Sequence, residues 1–286
     1  MLIIKGAFAP FFRNQKVISH YCSKRLIMIT KLSIGIFAFV LVSVQLKKKI
    51  ETPPGTILLS EKLFVDQTEV SNFSWLEYLY WIKKHHGKAS ETYKKALPDT
   101  TVWSEAWATN NMNYLRHPSF RDYPVVGISV DQASAFCEWR SDRVNQYLYI
   151  RDHKLPITYG DSIAFKFPKR YRYSLPTKKQ WIELTQIPYS DRVSKRATRK
   201  KLVMGNYANS SDRLVMHCSK PVKSYYPNEK GLYNIFGNVA ELVSDYPVAM
   251  GGSWRQDEIV SKSQKGQSFN KVSNWIGFRC VAYEVE

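Results

Sequence analysis

An irregular, loop-rich α+β domain is what this sequence predicts, and three observations predict it. The chain holds 18 Tyr, 14 Phe and 8 Trp in 286 residues that are 44% hydrophobic, enough apolar surface for a real core in one large domain or two small ones. Its apolar runs are short and split by Pro, Asn and Asp, with little sustained helical period. It has no internal repeat and no low-complexity tract, which sets solenoid and disordered architectures aside.

The elements follow in chain order. Residues 32–46, "LSIGIFAFVLVSVQL", form an uncharged apolar run preceded by Lys31, with the length of a signal-peptide core and short of a comfortable membrane span. Residues 28–46 are therefore expected to be a signal peptide or membrane anchor, and Met28 would place the run near the start of a conventional signal. Residues 1–27 are then an uncertain lead, with a mis-called start as one account of it. Export to the periplasm or cell-envelope membrane is the expected localisation. No Cys follows the run closely, "VSVQ" is a poor cleavage site and "KKK" at 47–49 opposes translocation, so cleavage and retention both stay open.

Residues 47–54 read as a linker, since Pro53 and Pro54 exclude helix, and Gly55 opens a domain expected to run over 55–286. "TILLSEKLFVDQTEV" shows apolar runs of strand length, and Ser71 is placed to cap a helix with Phe73, Leu76 and Tyr80 at helical spacing. Residues 93–129 carry Trp and Pro without a lasting period and read as a long ordered loop. Two capping boxes follow, Ser129 with Gln132 and Thr177 with Gln180. Ala133, Phe136, Cys137, Val144, Tyr147 and Leu148 would make one face of the first of these helices. "KRATRKK" at 195–201 reads as loop, and "WIGFRCVAY" reads as a closing strand.

The net charge of +18 comes from 42 basic and 24 acidic residues and is scattered. No helix-turn-helix, zinc-finger or RNA-binding signature accompanies it, so nucleic acid is not the expected partner. A solvated basic face near a membrane or acidic polysaccharide is the simpler reading. The four cysteines contain no CxxC pair, which excludes a zinc ribbon or thioredoxin site. Export would leave a disulfide open among Cys137, Cys218 and Cys280, and spacing does not choose the pair.

"GLYNIFGNVAELVSD" at 231–245 has two readings from its residues alone: a turn glycine followed by a surface Glu, or Asn234, Gly237 and Glu241 converging on a ligand. In order, "TEVSNFSW", "YPVVGISVDQASAFCEW", "LPTKKQW", "GLYNIFGNVAELVSD", "GGSWR" and "GFRCV" resemble the formylglycine-generating enzyme (sulfatase-modifying factor) family over 55–283. The resemblance implies a variant of the C-type lectin fold, with irregular loops around small antiparallel sheets and two packed helices. "LPDTTVW", "YLRHPSFRDYPVVGIS" and "WRSDRVNQ" further resemble the gliding-motility and type IX secretion lipoproteins of Bacteroidetes.

Active members of that family bind copper(I) through two cysteines shortly after "GGSW" and oxidise a substrate cysteine with O₂. Here the stretch after Trp254 has no cysteine before "GFRC", so no copper is expected. The resemblance implies a structural calcium ion held by the Asn234 side chain, the Gly237 and Val239 carbonyls and the Glu241 carboxylate, which suits a hard cation. It places a second site at Asn206 or Asn209 with Asp212, where the spacing departs from the pattern. It also implies a disulfide between Cys137 and Cys280. His85, His86, His117, His153 and His217 share no spacing that makes a metal face, and no G-x-S-x-G occurs. "GGSW" and "GFRC" read as packing elements, with Arg255 and Arg279 each able to hold a buried carboxylate or lie on the surface.

The function expected is a non-catalytic envelope scaffold with envelope protein partners, related to gliding motility or type IX protein secretion. An oxidase-like enzyme of the same superfamily with relocated metal ligands is the alternative. A lectin-like surface on an exposed loop around Trp103 and Trp107 is a third reading.

Overall fold

Thr56–Ser60 (β1) and Leu63–Asp66 (β2) are two apolar runs separated by Glu61 and Lys62, and they close into an antiparallel hairpin with Thr56 opposite Asp66. The register slips once, between Leu58 and Ser60. The computed structural model describes residues 51–103, 113–156, 167–208 and 218–285. The apolar run at 32–46, the lead before it and the start of the linker lie outside the described residues. Among the described residues, no helix is long and apolar enough to cross a membrane.

The hairpin continues into a four-stranded antiparallel sheet. β2 pairs with β8 (Val281–Glu284), and β8 pairs with β3 (Tyr171–Ser174), giving the order β1-β2-β8-β3. A second, mixed sheet has the order β6-β5-β4-β7. In it β4 (Ala240–Leu242) runs antiparallel to β5 (Val248–Met250) and parallel to β7 (Ile276–Gly277), while β6 (Gln267–Ser268) covers the far edge. The expected closing strand is thus two strands, β7 and β8, which serve different sheets and are joined by Phe278, Arg279 and Cys280.

Two long helices pack beside the first sheet. Ser71 caps α1 (Asn72–His86) by accepting from the Ser74 amide at 3.2 Å. The capping box on α3 (Val130–Asp152) is complete: the Gln132 amide donates to Ser129 Oγ at 3.2 Å and the Ser129 amide donates to Gln132 Oε1 at 2.8 Å. Thr177 and Gln180 form the same reciprocal pair at the start of α4 (Lys178–Thr185). Trp75 of α1 stacks on Phe136 of α3 at 5.4 Å, and both meet Phe278 edge-on. Interlocked aromatics of this kind bury much area with few rotamers.

Several faces differ from the sequence expectation. On α1 the buried side is Asn72, Trp75, Tyr78, Leu79 and Ile82, whereas Tyr80 is 68% exposed. Both sides of that helix carry apolar residues at helical spacing, so periodicity alone selects neither. On α3, Tyr147 is 55% exposed, and the polar residues Ser141 and Asn145 take inward places. Their reason is the free edge of β3. The Arg170 and Tyr171 amides donate to Asn145 Oδ1, Asn145 Nδ2 donates to the Tyr171 carbonyl, and the Tyr173 amide donates to Ser141 Oγ. Polar side chains of a helix thereby complete a strand that has no further neighbour.

Residues 195–200 are not loop but the second half of α5 (Asp191–Lys200), a helix with no buried residue, so no apolar stripe marked it in the sequence. The loop 93–129 is broken up by α2 (Glu91–Ala96) and two short 3₁₀ turns at Thr100–Trp103 and Pro118–Phe120. Trp103 is not an exposed loop residue. It is buried against Tyr114, ring centroids 4.6 Å apart, in a cluster with Phe120 and Trp254. Trp107 lies outside the described residues.

Candidate functional site

The stretch 231–242 holds four residues at positive φ: Gly231 at 87°, Asn234 at 49°, Gly237 at 78° and Asn238 at 61°. Asparagine tolerates this conformation and glycine favours it. Glycine is required at 237 for a second reason, because a Cβ there would sit 2.7 Å from the Asn206 carbonyl oxygen. Asn238 ties the turn to the neighbouring chain, accepting from the Lys220 amide at 2.7 Å and donating to the Lys220 carbonyl at 3.2 Å. Asn206 donates to the Cys218 carbonyl at 2.9 Å.

The turn leads directly into β4, one of the two inner strands of the second sheet, and that placement carries Glu241 into the interior, 1% exposed. Arg279, at the junction of β7 and β8, meets it with a two-pronged ion pair: Nε to Oε2 at 2.7 Å and Nη2 to Oε1 at 2.6 Å. The indole Nε1 of Trp181 on α4 donates to Oε2 at 2.9 Å. Nη1 donates to the Asp66 carbonyl and the second Nη2 hydrogen to the Tyr233 carbonyl. A fully buried guanidinium thus has its charge matched and each of its three nitrogens bonded, as burial of a charge demands.

A second carboxylate, Glu69, lies between β2 and α1 and is also buried. It accepts from Asn238 Nδ2 at 2.7 Å and from Asn234 Nδ2 at 3.1 Å, both neutral donors. Burial pushes its pKa up to about 8, against the downward pull of Arg279 and with a further push from Glu241. Sequence reading did not single out Glu69. Its partners are 165 and 169 residues away, and no local pattern announces them.

Of the residues expected to hold calcium, Asn234, Gly237, Val239 and Glu241 come together on one turn and its following strand. They fit the ion in part. Asn234 Oδ1 is buried without a partner, the kind of free oxygen a hard cation uses. Glu241, however, has both oxygens engaged by Arg279 and Trp181, so its charge is already neutralised. Asn206 joins the same network through Asn238, while Asn209 and Asp212 lie outside the described residues.

Cys137 of α3 and Cys280 have their sulfurs 3.5 Å apart, and both are free thiols, not the expected disulfide. The Cys280 thiol is pushed well above its ordinary pKa by burial first and by its neighbour Cys137 second. His117 accepts from the Ser119 amide and His153 lies on Tyr149, so neither is offered to a shared site. Among the described residues, no group of three or more His, Cys, Asp or Glu is arranged to hold a metal. Arg279, one of the two arginines that sequence left undecided, holds a carboxylate, whereas Arg255 lies exposed over Trp254.

A family model described as "Sulfatase-modifying factor enzyme 1-like domain" matches residues 35–283. No curated protein matches. Among solved structures, the chain is similar to Treponema denticola variable protein 1 at 17% identity, over 82% of this chain and 92% of that one, with a TM-score of 0.43. It is similar to PvdO from Pseudomonas aeruginosa at 18% identity, over 59% and 65%, with a TM-score of 0.40. It is similar to a protein named CarF at 15% identity, over 78% and 87%, with a TM-score of 0.39.

Proposed function

Because the chain belongs to the sulfatase-modifying factor enzyme 1-like domain family, we propose that it uses this domain as a non-catalytic scaffold of the cell envelope, related to gliding motility or type IX protein secretion. One observation carries the loss of oxidase chemistry: residues 255–279, after "GGSW", contain no cysteine. Copper(I) that activates oxygen asks for soft thiolates at an open position. Cys137 and Cys280 are the only two thiols in contact among the described residues, and they are buried with the Cys280 thiol disfavoured as thiolate. They do not support the alternative, an oxidase with relocated ligands.

Export and membrane association are supported by the apolar run at 32–46 with its flanking lysines, and the gliding or secretion link by the three stretches that resemble those lipoproteins. The test is fractionation of cells making the full chain, followed by cross-linking and purification from the membranes. The protein is expected in the envelope fraction with an envelope protein attached. Recovery from the cytosol with no cross-linked partner would overturn the reading.

Calcium belongs to the same proposal as a structural ion at the 234–241 turn. The orphaned Asn234 Oδ1 supports it, and it requires Glu241 to share its carboxylate with Arg279 or release it. The ion would stabilise the native state by mass action, about 2.7 kcal/mol at 100 times its Kd. Chelation is expected to lower the melting temperature, and Glu241→Gln to remove most of the calcium-dependent part. A melting curve of folded protein that ignores both chelator and added calcium would remove the ion from the account.

A further inference from the structure

Helix α5 has no buried residue, yet its charges are ordered. Arg192, Lys195, Arg196, Arg199 and Lys200 stand at the i, i+3, i+4, i+7 and i+8 positions that hold the apolar stripe of an ordinary surface helix. Here that face is basic, and all five residues are exposed. At the usual helical pitch they cover an arc of about 140° and a length of about 12 Å. Val193 and Ala197, on the other side, are the half-buried residues of the helix.

The stripe is not answered within the described fold. Arg192, Lys195, Arg199 and Lys200 make no ion pair with a described residue, and Arg196 meets the Tyr226 ring at 5.8 Å. Asp191, the one acid of the helix, stands four residues before Lys195 without forming an ion pair with it. Arg192 and Arg196, Lys195 and Arg199, and Arg196 and Lys200 are like charges four apart, which costs helix stability. The Ser190 cap and the left-handed Lys201 at the C-cap hold the helix against that repulsion.

An apolar point stands near the start of this helix. α6 (Glu258–Ser261) is a single turn pinned at both ends. Asp257 caps it by accepting from the Val260 amide at 2.8 Å, and Ser261 is buried so close to Gly252 that no Cβ fits there. Between these ends Ile259 is 84% exposed and Val260 45%. The acid of the turn, Glu258, is matched by Lys262 at 2.7 Å. Burial and then the nearby Glu258 raise the pKa of Tyr189, which precedes α5 by two residues, so the turn and the N-terminal end of α5 are neighbours.

The two features together select a partner. Five charges spread along a convex helix match a plane of many negative headgroups better than one small anion, which asks for converging donors. An isoleucine held outward on a rigid turn finds a counterpart at the acyl boundary of a bilayer and none along a phosphate or sugar backbone. We propose that α5 and the Ile259 turn form a docking surface for an anionic phospholipid bilayer, with the basic stripe on the headgroups and Ile259 at the acyl boundary. The surface is built from described residues and rests neither on the apolar run at 32–46 nor on the scaffold reading.

The test is hydrogen exchange of the full chain, read by mass spectrometry, on phosphatidylcholine vesicles with and without phosphatidylglycerol. Insertion of residues 32–46 would be common to both vesicles, and the peptide-resolved readout separates it from this surface. Exchange in peptides covering 191–200 and 258–261 is expected to slow at least about threefold on the anionic vesicles only, and high salt should reverse it. Arg192→Gln, Lys195→Gln and Arg199→Gln together should abolish the protection at an unchanged melting temperature. Arg199→Gln alone serves if that variant fails to fold, with affinity falling roughly fivefold, the worth of one basic group near such a surface. Arg192→Lys with Arg199→Lys should keep the protection, since a bilayer reads charge and not guanidinium shape. In Ile259→Ser the vesicle concentration at half protection should rise at least about threefold with its salt dependence unchanged. Equal protection on neutral vesicles, none at 191–200 on either, stronger protection by soluble heparin or duplex DNA at equal charge, or indifference to loss of the basic residues would each overturn the proposal.

Discussion

Two buried carboxylates, Glu69 and Glu241, lie within electrostatic reach of one guanidinium, and the fold treats them differently. Glu241 receives both prongs of Arg279, whereas Glu69 receives only two asparagine amides and keeps its proton near neutrality. Arg279→Met should leave Glu241 buried and unpaired, at a cost of about 3–5 kcal/mol, since removal of one partner exposes the full desolvation of the other. Denaturant melts of the two proteins check this, and a loss below about 1 kcal/mol would mean that water or rearrangement reaches Glu241. Glu69 makes the opposite kind of prediction. Its folded pKa of about 8 lies above the ordinary 4.5, so the folded chain holds a proton that the unfolded chain has released. In calcium-free protein its contribution is full below about pH 4.5, declines as pH rises and is lost beyond about 8, with a slope of at most about 1.4 kcal/mol per pH unit. Glu69→Gln should flatten that decline between pH 5 and 8. An unchanged slope would assign it to other groups.

At the scale of elements, α3 is the piece that binds the first sheet together. Its Asn145 and Ser141 answer the open edge of β3, its Arg140 grips Asp66 of β2, and its Cys137 touches Cys280 just before β8. In an oxidising compartment those two thiols should pair. The bond would close a loop of more than a hundred residues, worth about 4–5 kcal/mol in the chain-entropy model. Non-reducing peptide mapping of protein recovered from the envelope checks the pair, and two free thiols there would contradict both the bond and the export. The helix starts of α1, α3 and α4 were legible in the sequence, because a cap is a bargain between residues three apart. Which face turns inward was less legible. On α1 apolar residues occupy both sides, and on α3 the inward Asn145 and Ser141 are polar because β3, not a hydrophobic layer, is what they meet. Helix α5 gave no signal, since nothing on it is buried.

For the whole molecule, family membership and the α+β class were readable because six short motifs keep their order along the chain, each at a turn, cap or close approach that geometry restricts. The motif "GLYNIFGNVAELVSD" pointed to the right place: its turn and strand sit at the meeting point of both sheets and α4. Its electrostatics were not readable, since Glu241 is answered from Arg279 and Trp181 and Asn234 from Glu69, partners supplied by distant segments. The proposal made above is that this chain keeps the family's domain without its oxidase chemistry. It is tested most directly by incubating the folded full chain with a sulfatase-type cysteine peptide, copper and O₂, and following the peptide by mass spectrometry. No formylglycine above a no-protein control is expected. Repeated turnover by this chain, abolished in none of its controls except copper removal, would contradict it.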